Sequence, residues 1–329
     1  MSRFAMVVWF VLSAGLAVQA QTAPALHLQR EIPLPQVAGR VDHLSADVAG
    51  ERVFVAALGN DTVEVVDLRL GRRVARIEGL HEPQGVLYLA GNKTLYVANG
   101  DDGKVRSFDG RTLQPLKTVS LGEDADDLRY DPVHGEVLAG YGAGGIAMLG
   151  LDLMRRADLR LPVHPEAFEL SGDGKQIFVN LPHNQSIGKI DLGTRAVNAQ
   201  WADPGAEANY PMALDPAGSR LYVACRQPGE LLLLDAASGA VLAHIPTVGD
   251  ADDMFFDRAR KMLYVIGGEG YVDVVQVGSG ARMTSIAHVT TQSGARTGLL
   301  VPEWNELLVA APQRGQAPAR LLVYSIAGQ

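Results

Sequence analysis

Short apolar runs recur along the chain, rich in Val, Ile, Leu, Tyr and Phe, and each is closed by Gly, Asn, Asp or Pro. Runs of this length and composition favour strands over helices. One run repeats with a fixed period: residues 52–57, 94–99, 136–141, 176–181, 220–225, 262–267 and 306–311. The third residue of each is Phe54, Tyr96, Leu138, Phe178, Tyr222, Tyr264 and Leu308, at spacings of 42, 42, 40, 44, 42 and 44. Around each aromatic run lie an entry segment, a turn such as Asp131-Pro132-Val133-His134-Gly135, and a Gly/Asn/Asp loop into a third strand such as Val63-Glu64-Val65-Val66-Asp67. A fourth strand such as Val74-Ala75-Arg76-Ile77 completes the unit. Four strands in about 42 residues make one propeller blade. The pattern therefore predicts an all-β, seven-bladed β-propeller of four-stranded blades.

The blades fall at roughly 40–80, 81–122, 123–163, 164–206, 207–248, 249–291 and 292–326. The last unit stops soon after its third strand, Arg320-Leu321-Leu322-Val323-Tyr324, and lacks a fourth. A strand-like stretch at 26–32, within an unassigned 25–33, stands ahead of the first unit. A closed ring would borrow it, so 26–32 is expected to pair with 320–325 and to remove a free sheet edge. Length alone would suggest two domains, but the repeat makes residues 21–329 one. The 36 glycines then belong to hairpin turns rather than linkers.

Tyr96-Val97-Ala98-Asn99 resembles the signature of the YVTN-repeat β-propellers, and Tyr222-Val223-Ala224-Cys225 is a variant of it. The segment Gly294-Ala295-Arg296-Thr297-Gly298, followed by Val301-Pro302-Glu303, is similar to the last blade of exported bacterial members. The resemblance spans essentially the whole chain after residue 20. It implies the fold, and a binding or interaction role more often than an enzymatic one. Carried over by fold, that role is analogy.

Residues 1–20 read as a signal peptide: Arg3, then an apolar stretch too short for a membrane span, then Val18-Gln19-Ala20 with cleavage before Gln21. The expected product is periplasmic or secreted, a monomer, with no membrane span after cleavage. The single Cys225 excludes an internal disulfide and a thiolate metal site, and its place at a strand end predicts a buried small residue. A net charge of −8 makes nucleic acid an unlikely partner.

In a propeller, the loops entering the innermost strands ring one mouth of the central channel. Counting back twelve and eleven residues from each aromatic position gives Asp42/His43, Gln84/Gly85, Asp126/Asp127, Glu166/Ala167, Tyr210/Pro211, Asp252/Asp253 and Arg296/Thr297. The candidate ligand-binding residues are thus His43, Asp126, Asp127, Glu166, Tyr210, Asp252, Asp253 and Arg296. The third and sixth units share Asp-Ala-Asp-Asp at 124–127 and 250–253. Strand alternation would send Asp124 and Asp126 to one side and Asp127 to the other. Facing carboxylates repel unless water, a proton or a cation intervenes, which nominates Asp126 and Asp252 for a divalent cation; no other cofactor is indicated. Asp before a strand equally serves as a turn cap, and channel carboxylates are often only solvated. His164 and His183 flank the same face, and Arg226, Arg296 and Arg314 could meet an anionic ligand there. Two functional readings follow. One is a binding module whose channel mouth takes a small molecule or a protein partner. The other is a metal-assisted, lactonase-like hydrolase using the carboxylate-rich mouth to polarise a carbonyl.

Overall fold

A computed structural model describes residues 25–202, 207–215, 217 and 219–327. The signal-peptide segment and its cleavage site lie outside them. Seven four-stranded antiparallel sheets form, six of them from strands consecutive in sequence. In the seventh, the N-terminal strand Leu26–Pro33 pairs with Arg320–Ile326 and supplies the outer edge. Ile32 faces Leu321 across this seam, both essentially inaccessible to solvent. Among the described residues no helix is long and apolar enough to cross a membrane.

The periodic aromatic positions explain why the sheets stack into a ring. All seven are buried to within 1% exposure. Each belongs to an apolar cluster shared with the next blade. Phe54 packs with Val86 and Val97, Tyr96 with Ala125 and Leu128, Leu138 with Phe168 and Val179, and Phe178 with Met212 and Val223. Tyr222 then meets Met254 and Leu263, Tyr264 meets Leu307 and Val309, and Leu308 meets Leu44 and Val53 of blade one. Burying such a side chain contributes about 2–3 kcal/mol, so each blade is held by its neighbour as well as by its own ladder. The Tyr96 hydroxyl also donates to the Leu151 carbonyl of the following blade at 2.8 Å. Tyr96 can therefore occupy a position that elsewhere holds Phe or Leu without stranding its polar end.

Turn chemistry fixes the strand register. At Asp131 the carboxylate accepts from the backbone N–H of Val133 and of His134, and Gly135 follows at φ +66°. These are the bonds an Asx turn needs, and the φ is one glycine adopts without strain. Cys225 is fully buried in the second strand of blade five, as its position in the repeat predicts.

Candidate functional site

The counted-back pairs coincide with a distortion repeated in the innermost strands. In blade three, Ala125 pairs with Tyr141 and Leu128 with Ala139, so Asp126 and Asp127 together oppose Gly140. Blades two, five and six do the same at Gln84/Gly85, Tyr210/Pro211 and Asp252/Asp253. In blade one the Asp42 N–H donates to the Ala56 carbonyl while the Ala56 N–H donates to His43; in blade four Glu166 and Ala167 share Asn180 likewise. Each is a β-bulge, which adds one residue, bends the strand and re-aims side chains.

The bulge corrects the expectation from strict alternation. The extra residue interrupts the two-residue period, and Asp126 and Asp127 both line one cavity, as do Asp252 and Asp253. That cavity, about 270 Å³, descends into the channel, and a second of about 240 Å³ lies at its mouth. His43, Asp126, Glu166, Tyr210 and Asp252, from five blades, belong to both walls. Of the eight predicted residues only Arg296 lines neither; its guanidinium pairs with Asp250 at 2.9 Å. Arg314 also lies outside both walls.

The two acidic repeats are neutralised differently. Asp124 and Asp126 stand 3.5 and 3.7 Å from the two nitrogens of His164, whose Nδ1 is also 2.7 Å from the Gly142 carbonyl. Burial opposes the charged imidazole, but the Asp126 and Gly142 hydrogen bonds and the charge of Asp124 outweigh it and raise His164 to about 9. In blade six, Asp252 is bonded by the Arg226 guanidinium, whose Cζ lies over the Tyr210 ring 3.4 Å from its centroid. Asn180 holds this tyrosine in place by donating to its carbonyl at 2.9 Å. An arginine stacked on an aromatic face is oriented for its carboxylate as well as attracted to the ring. Even so, burial, helped by Asp42 and Asp253, raises Asp252 to about 6.

Among the described residues, the Glu166 side chain has no hydrogen-bond or ion-pair partner. Burial, reinforced by Asp126 and Asp252, raises it to about 8, so it holds a proton at neutral pH. Asp42, fully buried, is raised by burial against the pull of His43 and of Arg40, whose Nη2 donates to it at 2.7 Å. The mouth is thus a mixture of cations, anions and protonated carboxyls, in which an added charge or hydrogen-bonding group would find fixed partners. The nominated cation ligands Asp126 and Asp252 face His164 and Arg226, respectively. Among the described residues no group of three or more His, Cys, Asp or Glu side chains is arranged to hold a metal ion.

Below the bulges lies a tier outside the predicted set. Ser45, Leu87, Arg129, Glu169, Phe255 and Leu299 each pair directly with the aromatic-position residue of their own blade, and all line the descending cavity. Arg129 bonds Asp127 and lies over the Phe168 ring. Glu169 is raised to about 7, chiefly by burial and against the pull of Arg129. Nine residues before each aromatic position would have found this tier, two residues beyond the counted pairs.

No family model matches the chain, and no curated protein matches it by sequence. Solved structures do match. A chain of hydrazine synthase from Kuenenia stuttgartiensis superposes with a TM-score of 0.74 at 17% identity, covering 91% of this chain and 99% of that one. A chain of a mitotic checkpoint complex superposes with a TM-score of 0.78 at 14% identity, covering 99% of each. At such identities the likeness is one of fold: the chain is a seven-bladed β-propeller.

Proposed function

We propose that this propeller is an exported binding module of the YVTN-repeat kind, which takes a small ligand in its channel mouth or presents that mouth to a protein partner. One observation carries the reading. His43, Asp126, Glu166, Tyr210 and Asp252 come from five separate blades, yet they converge on the walls of two adjoining cavities. A propeller needs no such convergence for stability, since its blades are already held by the seven apolar clusters. The mature protein works as a periplasmic or secreted monomer.

The test is a thermal-shift screen of the full chain against small polar compounds, repeated with Tyr210→Ala. Compounds that stabilise the wild type and lose their effect in the variant support the reading. A screen without one such compound, together with a pull-down from periplasmic extract in which Tyr210→Ala changes nothing, counts against it. The hydrolase reading has weaker support: a cation at Asp252 would first have to displace Arg226.

A further inference from the structure

Each innermost strand begins at the mouth. The turn that ends it therefore lies on the opposite face, as does the turn between the third and fourth strands of the same blade. Large exposed apolar side chains are spread unevenly over these surfaces. Among the described residues they stand on the outer strands and on the opposite-face turns of blades one and three; none stands in a mouth loop. Leu70, Val133 and Met154 protrude furthest from those turns, at 52%, 53% and 68% exposure.

Two of these residues depart from their own repeat. In the turns between third and fourth strands of blades two, four and five, the residue three places after the capping Asp is Thr112, Thr194 or Ser238. Its hydroxyl donates back to Asp109, Asp191 or Asp235, at 2.8, 2.9 and 2.7 Å respectively. Blade one keeps the cap, with Asp67 accepting the Leu70 N–H at 2.8 Å, but puts a leucine where the hydroxyl would be. Val133 stands two places after Asp131, where the turns after Asp47, Asp215 and Asp257 have Ala49, Ala217 and Ala259. Small or polar residues thus suffice for these turns elsewhere, and local structure does not call for the exposed leucine and valine.

Charge supplies an independent sign. Blade two lies between the apolar tips and presents exposed Lys93 and Arg111 from its two opposite-face turns; blade one adds exposed Arg69 and Arg72. The exposed carboxylates on the opposite-face turns of blades one to three are Glu51 and Asp152, and Asp152 is occupied in accepting the Met154 N–H at 3.1 Å. The mouth loops of the same three blades have the reverse bias, with exposed Asp61, Glu82, Asp101 and Glu123 outnumbering Arg40.

We propose that the face opposite the mouth docks on an anionic phospholipid bilayer, Leu70, Val133 and Met154 entering the boundary between headgroups and acyl chains while Arg69, Arg72, Lys93 and Arg111 meet lipid phosphates. Apolar tips standing apart on two blades, with cations on the blade between, match a fluid surface that closes round each tip separately. Anionic lipid attracts this face and repels the acidic mouth, so charge sets the orientation. The mouth is left open to the aqueous side, and the proposal goes beyond the binding-module reading without altering it.

The experiment is co-sedimentation with phosphatidylcholine vesicles, with and without phosphatidylglycerol, using the chain from Gln21, which retains every described strand. Sedimentation is expected with the anionic vesicles alone and should fall as salt is raised. Arg111→Gln should weaken partitioning about fivefold. Leu70→Thr restores the hydroxyl of the other blades, so it should fold at least as well as the wild type and still bind vesicles several-fold more weakly. Leu116→Ser, on the outer strand of blade two, is the control and should bind unchanged. No sedimentation with anionic vesicles at low salt overturns the proposal, as does equal sedimentation with phosphatidylcholine alone or binding unchanged in both Leu70→Thr and Arg111→Gln. A dimer that Leu70→Thr dissolves would give this face to a second copy and overturn it too. Mouth ligands should shift the melting of Leu70→Thr as they do the wild type, so this proposal and the binding-module reading fail separately.

Discussion

His43 Nδ1 lies 3.3 Å from Asp253 Oδ1, joining blade one to blade six across blade seven. The other oxygen of Asp253 accepts the Gly298 N–H of the intervening blade, and Thr297 Oγ1 donates to the Val41 carbonyl at 3.4 Å. Three blades are thereby pinned at the mouth, beside the seam where the ring closes. Burial works against a charged His43, but Asp253, Asp42 and Asp127 overcome it and hold the imidazole well above its ordinary range. The bond therefore belongs to the protonated form.

Stability is expected to fall as pH rises. Asp252, Glu166 and His164 all bind protons more tightly in the folded chain, at about 6, 8 and 9 against ordinary values of 3.8, 4.5 and 6.5. A raised folded value gives stability that is full below the unfolded value and lost as pH passes the folded one. The three windows overlap, so the melting temperature should decline from about pH 5 to about pH 9. Scanning calorimetry across that range is the check. A flat or rising profile would contradict the assignment, and Glu166→Gln should flatten the stretch between about pH 4.5 and about pH 8.

Arg226→Ala removes the guanidinium between Tyr210 and Asp252. The cost should be about 2 kcal/mol at pH 8, where the carboxylate is left charged and buried, and smaller at pH 5, where it takes up a proton. Urea melts at the two pH values measure this directly. Arg226→Lys should recover only part of the loss, because an ammonium neither stacks on the ring nor offers the planar fork.

Gly298→Ala should destabilise by about 1–3 kcal/mol, since an added Cβ would run into Ile266 Cδ1 and the Leu308 carbonyl. Gly91→Ala is the control. Nothing lies within 4 Å of its added Cβ, and its change should stay within about 0.5 kcal/mol. Chemical denaturation of the two variants side by side distinguishes a steric requirement from a general glycine effect.

Deleting residues 1–33 strips the outer strand from blade seven. Ile32 and Leu26 leave their buried sites, and the edge of Arg320–Ile326 is bared. The truncated protein should lose cooperative melting and elute as larger species through edge pairing. A monomeric, cooperatively melting product would show that the seam is dispensable.

The repeats made much of this fold readable in advance. Phe54 and its six counterparts are set by local register, so their spacing survives into three dimensions as seven equivalent interblade contacts. The mouth positions were found by the same counting. Side-chain direction was not, because the bulge at Asp126/Asp127 shifts parity without leaving a mark in the apolar pattern. Arg129 and Glu169 were missed because they lie two residues beyond the mouth pair, one step deeper along the strand than the counted positions. Arg40 was missed because it lies ahead of the strand, where the periodic pattern has no authority. The partnership of Arg226 with Tyr210 is a contact between a strand end and an inner bulge, and sequence spacing carries no trace of it.

The bulges also have a consequence for how such a protein can change. Because each inserts a pair of residues opposite a single one, the ladder on either side keeps its register with different pairs in place. Blades one to six already hold Asp/His, Gln/Gly, Asp/Asp, Glu/Ala, Tyr/Pro and Asp/Asp at these places without disturbing the strands behind them. The mouth is therefore a set of variable inserts on a constant frame, save where a pair is tied to its neighbours: Asp253 bonds the Gly298 N–H, and a Cβ added at Gly85 would meet the Asp126 carbonyl oxygen at 2.2 Å. New specificities could arise there one blade at a time, by selection or by design, with the ring left unaltered.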